Sequence, residues 1–70
     1  MRISARNQLK GKVKRVQHGA VNSEIVIEVA PGVEVVSIIT KHSAEALGLN
    51  EGKDVVAIIK ASNVMVGVDD

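Results

Sequence analysis

Cysteine and aromatic residues are both missing from this 70-residue chain, which contains no Cys, Phe, Tyr or Trp. Without cysteine no disulfide can brace the fold, and two histidines far apart in the sequence, His18 and His42, do not suggest a structural zinc site. A chain this short buries only about 60% of the surface that its unfolded form exposes. We therefore expect one small domain, residues 1–70, that gains stability by forming an oligomer.

Other absences exclude whole classes of function. Proteins that bind single-stranded nucleic acid stack bases on aromatic side chains, which this chain lacks, and its net charge of +1 attracts phosphates only weakly. No apolar run approaches the length of about 20 residues that crosses a bilayer, and the residues after Met1 do not form the apolar segment of a signal peptide. The sequence predicts a soluble, cytoplasmic protein with neither nucleic acid nor membrane as a partner.

Short segments rich in Val and Ile, separated by turn residues, predict an all-β fold. A helix is predicted at about Lys41 to Leu47, with Thr40 as its N-cap and Gly48 just past its end. This helix lies between the third and fourth strands, which is the order of a five-stranded, OB-type Greek-key barrel. The five predicted strands are about Leu9 to Gln17, Ser23 to Val29, Val33 to Ile39, Asp54 to Ile59 and Asn63 to Val68.

The third and fourth predicted strands are apolar on both faces over much of their length. A small barrel buries only one face of each strand, so the second apolar face needs another cover. We expect a subunit interface there.

Two short polar strings at opposite ends of the sequence, Ser4-Ala5-Arg6-Asn7 and Lys60-Ala61-Ser62, adjoin predicted strands. In each string a hydroxyl and a cation stand two residues apart, so an extended chain places them on one side. Neither string contains a carboxylate, and together they predict a pocket for a small oxyanion. Two alternatives stay open: the Lys60 ammonium could simply reach solvent, and Arg6 could form a surface ion pair with an acid such as Glu24, Glu34 or Glu45.

Two further groups of donors are candidates for the same ligand. Thr40 and Ser43 stand at the start of the predicted helix, where they either contact an anion or cap the helix, or do both. The turn at His18-Gly19-Ala20 either presents backbone N–H groups to an anion or is a simple turn.

Catalytic patterns are missing. No serine has a Gly-x-Ser-x-Gly context, no pair of carboxylates stands out, and the glycines form no phosphate-binding loop. The sequence predicts a binding protein and not an enzyme.

Four segments of the chain carry a resemblance to a known family. The chain resembles the single-domain molybdopterin-binding proteins, or molbindins, along its whole length. In that family the ligand is molybdate or tungstate itself, bound in the cytoplasm by OB-type domains. The segments are Ser4-Ala5-Arg6-Asn7-Gln8-Leu9-Lys10-Gly11, Val21-Asn22-Ser23-Glu24, Thr40-Lys41-His42-Ser43 and Ile59-Lys60-Ala61-Ser62-Asn63-Val64-Met65.

The resemblance implies a hexamer, arranged as a trimer of dimers, with oxyanions at its subunit interfaces. One class of site would be formed by the first polar string and the Lys60 string, and a neighbouring subunit would contribute the helix start. It implies storage and buffering of molybdate or tungstate, with no cofactor and no directly coordinated metal ion; the alternative is an oxyanion-sensing module that contacts another protein. The implied contacts are Ser4, Ala5, Arg6, Thr40, Ser43, Lys60 and Ser62, with His18, Gly19 and Ala20 as further candidates.

Overall fold

A computed structural model describes all residues, Met1–Asp70, as a curled antiparallel sheet with one short helix. The sheet has four strands in the order β3-β2-β1-β4, so β3 and β4 are its edges. The predicted all-β fold with a helix between the third and fourth strands is confirmed, and it is consistent with an OB-type fold. The elements are β1 (Asn7–His18), β2 (Asn22–Ala30), β3 (Val33–Thr40), α1 (Lys41–Ala46), β4 (Asp54–Ile59) and a 3-10 turn at Ala61–Asn63.

The bend in β1 produces the curl of the sheet. Its first half, Asn7 to Lys12, pairs with β4, and its second half, from Lys12 to His18, pairs with β2. A Cβ atom on Gly11 would lie 2.4 Å from the carbonyl oxygen of Glu28, so only glycine permits this approach of β1 to β2. A register shift between Val13 and Arg15 adds to the bend. Both edges of the sheet are thereby turned toward each other.

The predicted helix ends are confirmed, and glycine also shapes the turn between β2 and β3. Gly32, after Pro31, has a φ of +74°, and Gly48, after the helix, has a φ of +63°, both in the region that favours glycine. Thr40 caps α1, because its hydroxyl accepts a hydrogen bond from the Ser43 N–H. At the other end of the helix, Lys53 Nζ donates to the Leu47 carbonyl at 2.6 Å. The helix is thus closed at both ends by groups that the sequence places nearby.

The core of the single chain is small. Only seven of the 70 residues are buried, and five of them form one apolar cluster between the curled sheet and α1. A core of this size leaves little margin against the entropy of the unfolded chain. The cluster consists of Val13, Ile25, Ile27, Ala44 and Ala57.

The prediction of a fifth strand at Asn63 to Val68 is wrong for the single chain. After the 3-10 turn, residues 64–70 form no strand, and Met65, Val66 and Val68 are 93%, 90% and 81% exposed. The alternating valines have a strand pattern, but a strand also needs a partner backbone, and the C-terminal residues reach none within their own chain. An apolar tail is therefore left in solvent.

A slot opens where the fifth strand of a closed barrel would lie. The facing edges of β3 and β4 line a gap of about 180 Å³, with Val35 to Ser37 on one side and Val56 to Ile59 on the other. Beside it is a mainly apolar cavity of about 490 Å³ that reaches Met1, which is itself 78% exposed. The barrel is open between its two edge strands. No helix of the structure is long and apolar enough to span a membrane.

Candidate functional site

The two polar strings from opposite ends of the sequence meet at one end of the sheet. Asn7 is opposite Ile59 in the antiparallel pairing of β1 with β4, so the residues before β1 lie beside those after β4. The side chain of Asn7 donates to the Ile59 carbonyl at 3.2 Å and ties the two segments together. They form an open groove of about 680 Å³, lined by Ile3, Ser4, Ala5, Arg6, Ile58, Lys60, Ala61, Ser62 and Asn63.

The charges in this groove are all positive and have no partner in the chain. Neither Arg6 nor Lys60 takes part in any of the four ion pairs, which use other lysine and arginine residues. No carboxylate lines the groove. The alternative in which Arg6 pairs with Glu24, Glu34 or Glu45 is wrong, since Glu24 contacts Arg15, Glu34 contacts Lys14, and Glu45 forms no ion pair.

Backbone donors add to the side-chain donors of the groove. The N–H groups of Ser4, Ala5 and Arg6 donate to no backbone carbonyl. The segment is nevertheless held in place, because Gln8 Nε2 donates to the Ala5 carbonyl at 3.0 Å. Hydroxyl, ammonium, guanidinium and amide donors without a carboxylate beside them suit a multiply charged oxyanion. The groove can bind such an anion through charge-assisted hydrogen bonds.

The other predicted residues lie together in a second cluster, which we call the turn cluster: His18, Gly19, Ala20, Thr40 and Ser43. The backbone N–H of Lys41 donates to the Val21 carbonyl at 2.8 Å and fixes the start of α1 beside the turn between β1 and β2. The Thr40 hydroxyl lies 2.8 Å from the Ser43 hydroxyl as well as accepting from the Ser43 N–H. The capping role is therefore present, with Thr40 exposed and Ser43 half-buried.

Within the turn, one donor is used and one is free. The Gly19 N–H donates to the Asn22 carbonyl at 2.7 Å, as in a simple turn, whereas the Ala20 N–H donates to no backbone carbonyl. His18 Nδ1 lies 2.6 Å from the hydroxyl of Ser23. Sequence reasoning gave Ser23 no role; the available signal was a serine at the start of the second predicted strand, just after the candidate turn.

The groove and the turn cluster lie at opposite ends of β1. At about 3.3 Å per residue, the twelve residues of that strand place its ends roughly 36 Å apart along the chain. No cavity of the single chain is lined by residues of both clusters.

Metal-ligating side chains do not cluster in the structure. No group of three or more His, Cys, Asp or Glu residues is placed so that it could hold a metal ion. The donors of the groove are hydrogen-bond donors and cations, which repel a bare metal cation and attract an oxyanion. The chemistry of the groove is that of anion binding.

Comparison with known proteins gives the family. Residues 3–66 match the model of the TOBE domain. A molybdenum-pterin-binding protein of Clostridium pasteurianum is 53% identical over 66 residues, which are 94% of this chain and 97% of the relative. The chain therefore belongs to the TOBE domain family and, within it, to the single-domain molybdenum-pterin-binding proteins.

Solved structures of similar proteins have the same fold. MopII from Clostridium pasteurianum, solved without ligand, has a TM-score of 0.89 and 46% identity, and the match covers 96% of this chain and 100% of that one. The cytoplasmic molybdate-binding protein ModG, solved with molybdate bound, has a TM-score of 0.92 and 46% identity. That match covers 99% of this chain and 49% of ModG, so this chain corresponds to about half of ModG.

Proposed function

We propose that this protein binds molybdate or tungstate reversibly, without a cofactor and without catalysing a reaction. The observation that carries the proposal is the groove in which Arg6, Lys60 and the hydroxyls of Ser4 and Ser62 meet with no carboxylate among them. The ModG structure with molybdate bound supports this choice of ligand, because ModG has the same fold and is 46% identical. The turn cluster supplies the remaining donors.

Titration calorimetry with molybdate, tungstate, sulfate and phosphate tests the proposal. Phosphate is partly protonated near neutral pH, and the groove has no carboxylate to accept its O–H, so phosphate should bind weakly. Sulfate makes the same hydrogen bonds as molybdate but is smaller, so a rigid set of donors should leave its bonds stretched. Molybdate and tungstate should compete nearly equally. Sulfate or phosphate binding as well as molybdate would make the groove a general anion site and contradict the proposal.

We further propose that the anion is bound where subunits meet, in a hexamer built as a trimer of dimers. The slot between β3 and β4 supports assembly, because it leaves two strand edges unpaired in one chain. The exposed tail supports it as well, since Val64, Val66 and Val68 alternate as an inward strand face does. A tail from a second copy, paired in the slot, would close the barrel and bury both apolar surfaces.

Removal of residues 64–70 tests this assembly. The shortened chain should lose the oligomer in sedimentation velocity and bind molybdate weakly, whereas removal of Met1 to Ile3 should leave the oligomer intact. The second deletion is the matched control, because Met1 also reaches the cavity beside the slot. An unchanged oligomer after removal of the tail would contradict the pairing, and a folded full-length monomer at micromolar concentration would contradict the shared site.

The physiological role that we propose is storage and buffering of the oxyanion in the cytoplasm. The second candidate is a sensing module, in which the bound anion changes how the oligomer contacts another protein. Val36 and Ile38 of β3 are 59% and 60% exposed. They support this candidate because they offer an apolar surface for contact with another protein. A storage protein should release its anion without a change in its protein contacts, whereas a sensing module should gain or lose a partner in pull-down experiments when molybdate is added.

A further inference from the structure

Ser23 is the one polar residue buried in the structure. It is the second residue of β2, it is 1% exposed, and in the register of the sheet it lies between His18 of β1 and Ile39 of β3. Its hydroxyl contacts His18 Nδ1 at 2.6 Å and makes no other side-chain hydrogen bond. A buried hydroxyl without a partner is costly, so this single contact decides where its proton goes.

The direction of that hydrogen bond follows from proton counting. A serine hydroxyl carries one proton, and at Ser23 the only side-chain acceptor within reach is Nδ1 of His18. If Nδ1 were protonated instead, the imidazole would donate and the Ser23 proton would be buried without an acceptor. The neutral imidazole is therefore held with its proton on Nε2.

The Nε2–H of His18 is then free for a ligand. His18 is exposed apart from its contact with Ser23, and Nε2 has no hydrogen-bond partner in the chain. The Ala20 N–H, two residues along, is also without a carbonyl partner. These two donors and the hydroxyls of Thr40 and Ser43 belong to the same turn cluster.

We propose that Ser23 is a positioning residue, which holds the His18 imidazole so that its Nε2–H donates to the bound oxyanion. The inference rests on the proposed oxyanion-binding function, and it adds a residue that touches no ligand itself. Ser23 acts by fixing both the ring orientation and the tautomer of His18. Without it, the ring would be free to rotate, and each productive contact with the anion would cost conformational entropy.

The test is a double-mutant cycle measured by molybdate titration of the full-length protein. Ser23→Ala should weaken molybdate binding by about threefold to tenfold, the range of one neutral hydrogen bond. His18→Ala should weaken it by a similar or larger factor. In the His18→Ala background, Ser23→Ala should cost nothing further, because Ser23 would have no ring left to position. Two independent, additive losses would contradict the inference.

A second readout separates positioning from a structural role. Nitrogen-15 NMR of the imidazole should show His18 protonated at Nε2 in the native protein and a mixture of tautomers in Ser23→Ala. Ser37→Ala is the matched control, because Ser37 is a half-buried serine of β3 without a side-chain hydrogen bond, and it should change neither the tautomer nor the affinity. An unchanged His18 tautomer in Ser23→Ala would overturn the inference.

The outcomes also distinguish this inference from the proposed function. If the native protein binds no molybdate, the proposed function fails. If the native protein binds molybdate and His18→Ala binds it equally well, the function stands and the role of Ser23 is contradicted.

Discussion

Two charged regions of this molecule differ in whether their cations are paired with acidic side chains. Along β1, Lys12 lies 2.6 Å from Asp54, and Lys14 and Arg15 contact Glu34 and Glu24. In the groove at the start of the same strand, cations stand beside hydroxyls and free N–H groups without any acid. In the first region, acidic side chains of the same chain neutralise the cations. In the groove, no acidic side chain of the chain neutralises Arg6 or Lys60. Position along one strand thus separates cations that are paired within the chain from cations that are not.

The largest effect should come from adding a carboxylate to the groove, so that its cations are paired as those along β1 are. Ser62→Asp places a carboxylate beside Lys60, removes a donor and adds a charge of the same sign as the ligand. We expect the affinity for molybdate to fall by at least roughly a hundredfold in calorimetry. Ser62→Asn, a neutral change at the same position, is the control and should lose much less. Equal losses in the two variants would mean that charge in the groove is irrelevant.

Removing the groove ammonium should have the next largest effect. Charge-assisted hydrogen bonds contribute about 1.5–3 kcal/mol each, so Lys60→Ala should weaken molybdate binding at least roughly tenfold. The matched control is Lys12→Ala, which removes an ammonium that Asp54 already pairs, and it should leave the affinity nearly unchanged. The comparison of the two regions breaks down if both variants lose affinity equally.

Arg6→Ala should have a smaller effect than Lys60→Ala. If Arg6 contributes chiefly through its backbone N–H, which donates to no carbonyl of the chain, the substitution leaves that donor in place. We expect a loss of about twofold to fivefold, within the range of one hydrogen bond. Competition titrations on the two variants measure which of them loses more affinity for molybdate. A greater loss for Arg6→Ala than for Lys60→Ala would show that the guanidinium is the main charge partner.

The smallest effect should come from the paired region, and it concerns stability. The hydrogen bond from Lys14, with its charge, holds the pKa of the Glu34 carboxyl below its ordinary value, and the same contact raises the pKa of Lys14. The carboxylate therefore contributes stability above the unfolded-state pKa of about 4.3, and this contribution is lost as the pH falls through the lowered folded-state pKa. Because both side chains are exposed, the contribution is small.

Thermal unfolding of Glu34→Gln against the native chain measures this contribution. The native chain should unfold at a slightly higher temperature than Glu34→Gln at neutral pH. The two unfolding temperatures should converge once the pH falls below the lowered folded-state pKa of Glu34. Molybdate affinity should be the same in both. A difference that grows as the pH falls would contradict the direction of the pKa shift.

Local features of this fold could be predicted from the sequence, because short-range chemistry decides them. Pro31-Gly32, the Thr40 cap and Gly48 each determine backbone geometry within a few residues. The four strands of the sheet were likewise predicted from short segments rich in Val and Ile between turn residues. The error at Asn63 to Val68 is of another kind, since an alternating pattern predicts a strand without indicating which backbone it pairs with.

The candidate site likewise has parts that the sequence predicted and parts that it did not. The strings of Ser4 and Lys60 were assigned to one site from their donor chemistry, and the antiparallel pairing of β1 with β4, which the sequence does not give, brings them together. Thr40 and Ser43 could not be located relative to them, because their place depends on the pairing of β3 with β2, which sets the start of α1 beside the turn at the end of β1. Ser23 was missed because its role depends on burial and on one contact with His18, and neither is visible in composition or spacing.

Native mass spectrometry of the full-length protein, with and without molybdate, tests the central claim most directly, since it counts subunits and bound anions together. The account predicts a hexamer that gains molybdate in the native chain and in Lys12→Ala, and a hexamer that retains fewer anions in Lys60→Ala. The same number of bound anions in Lys60→Ala and in the native chain would contradict it, because the unpaired charge of the groove would then have no part in binding.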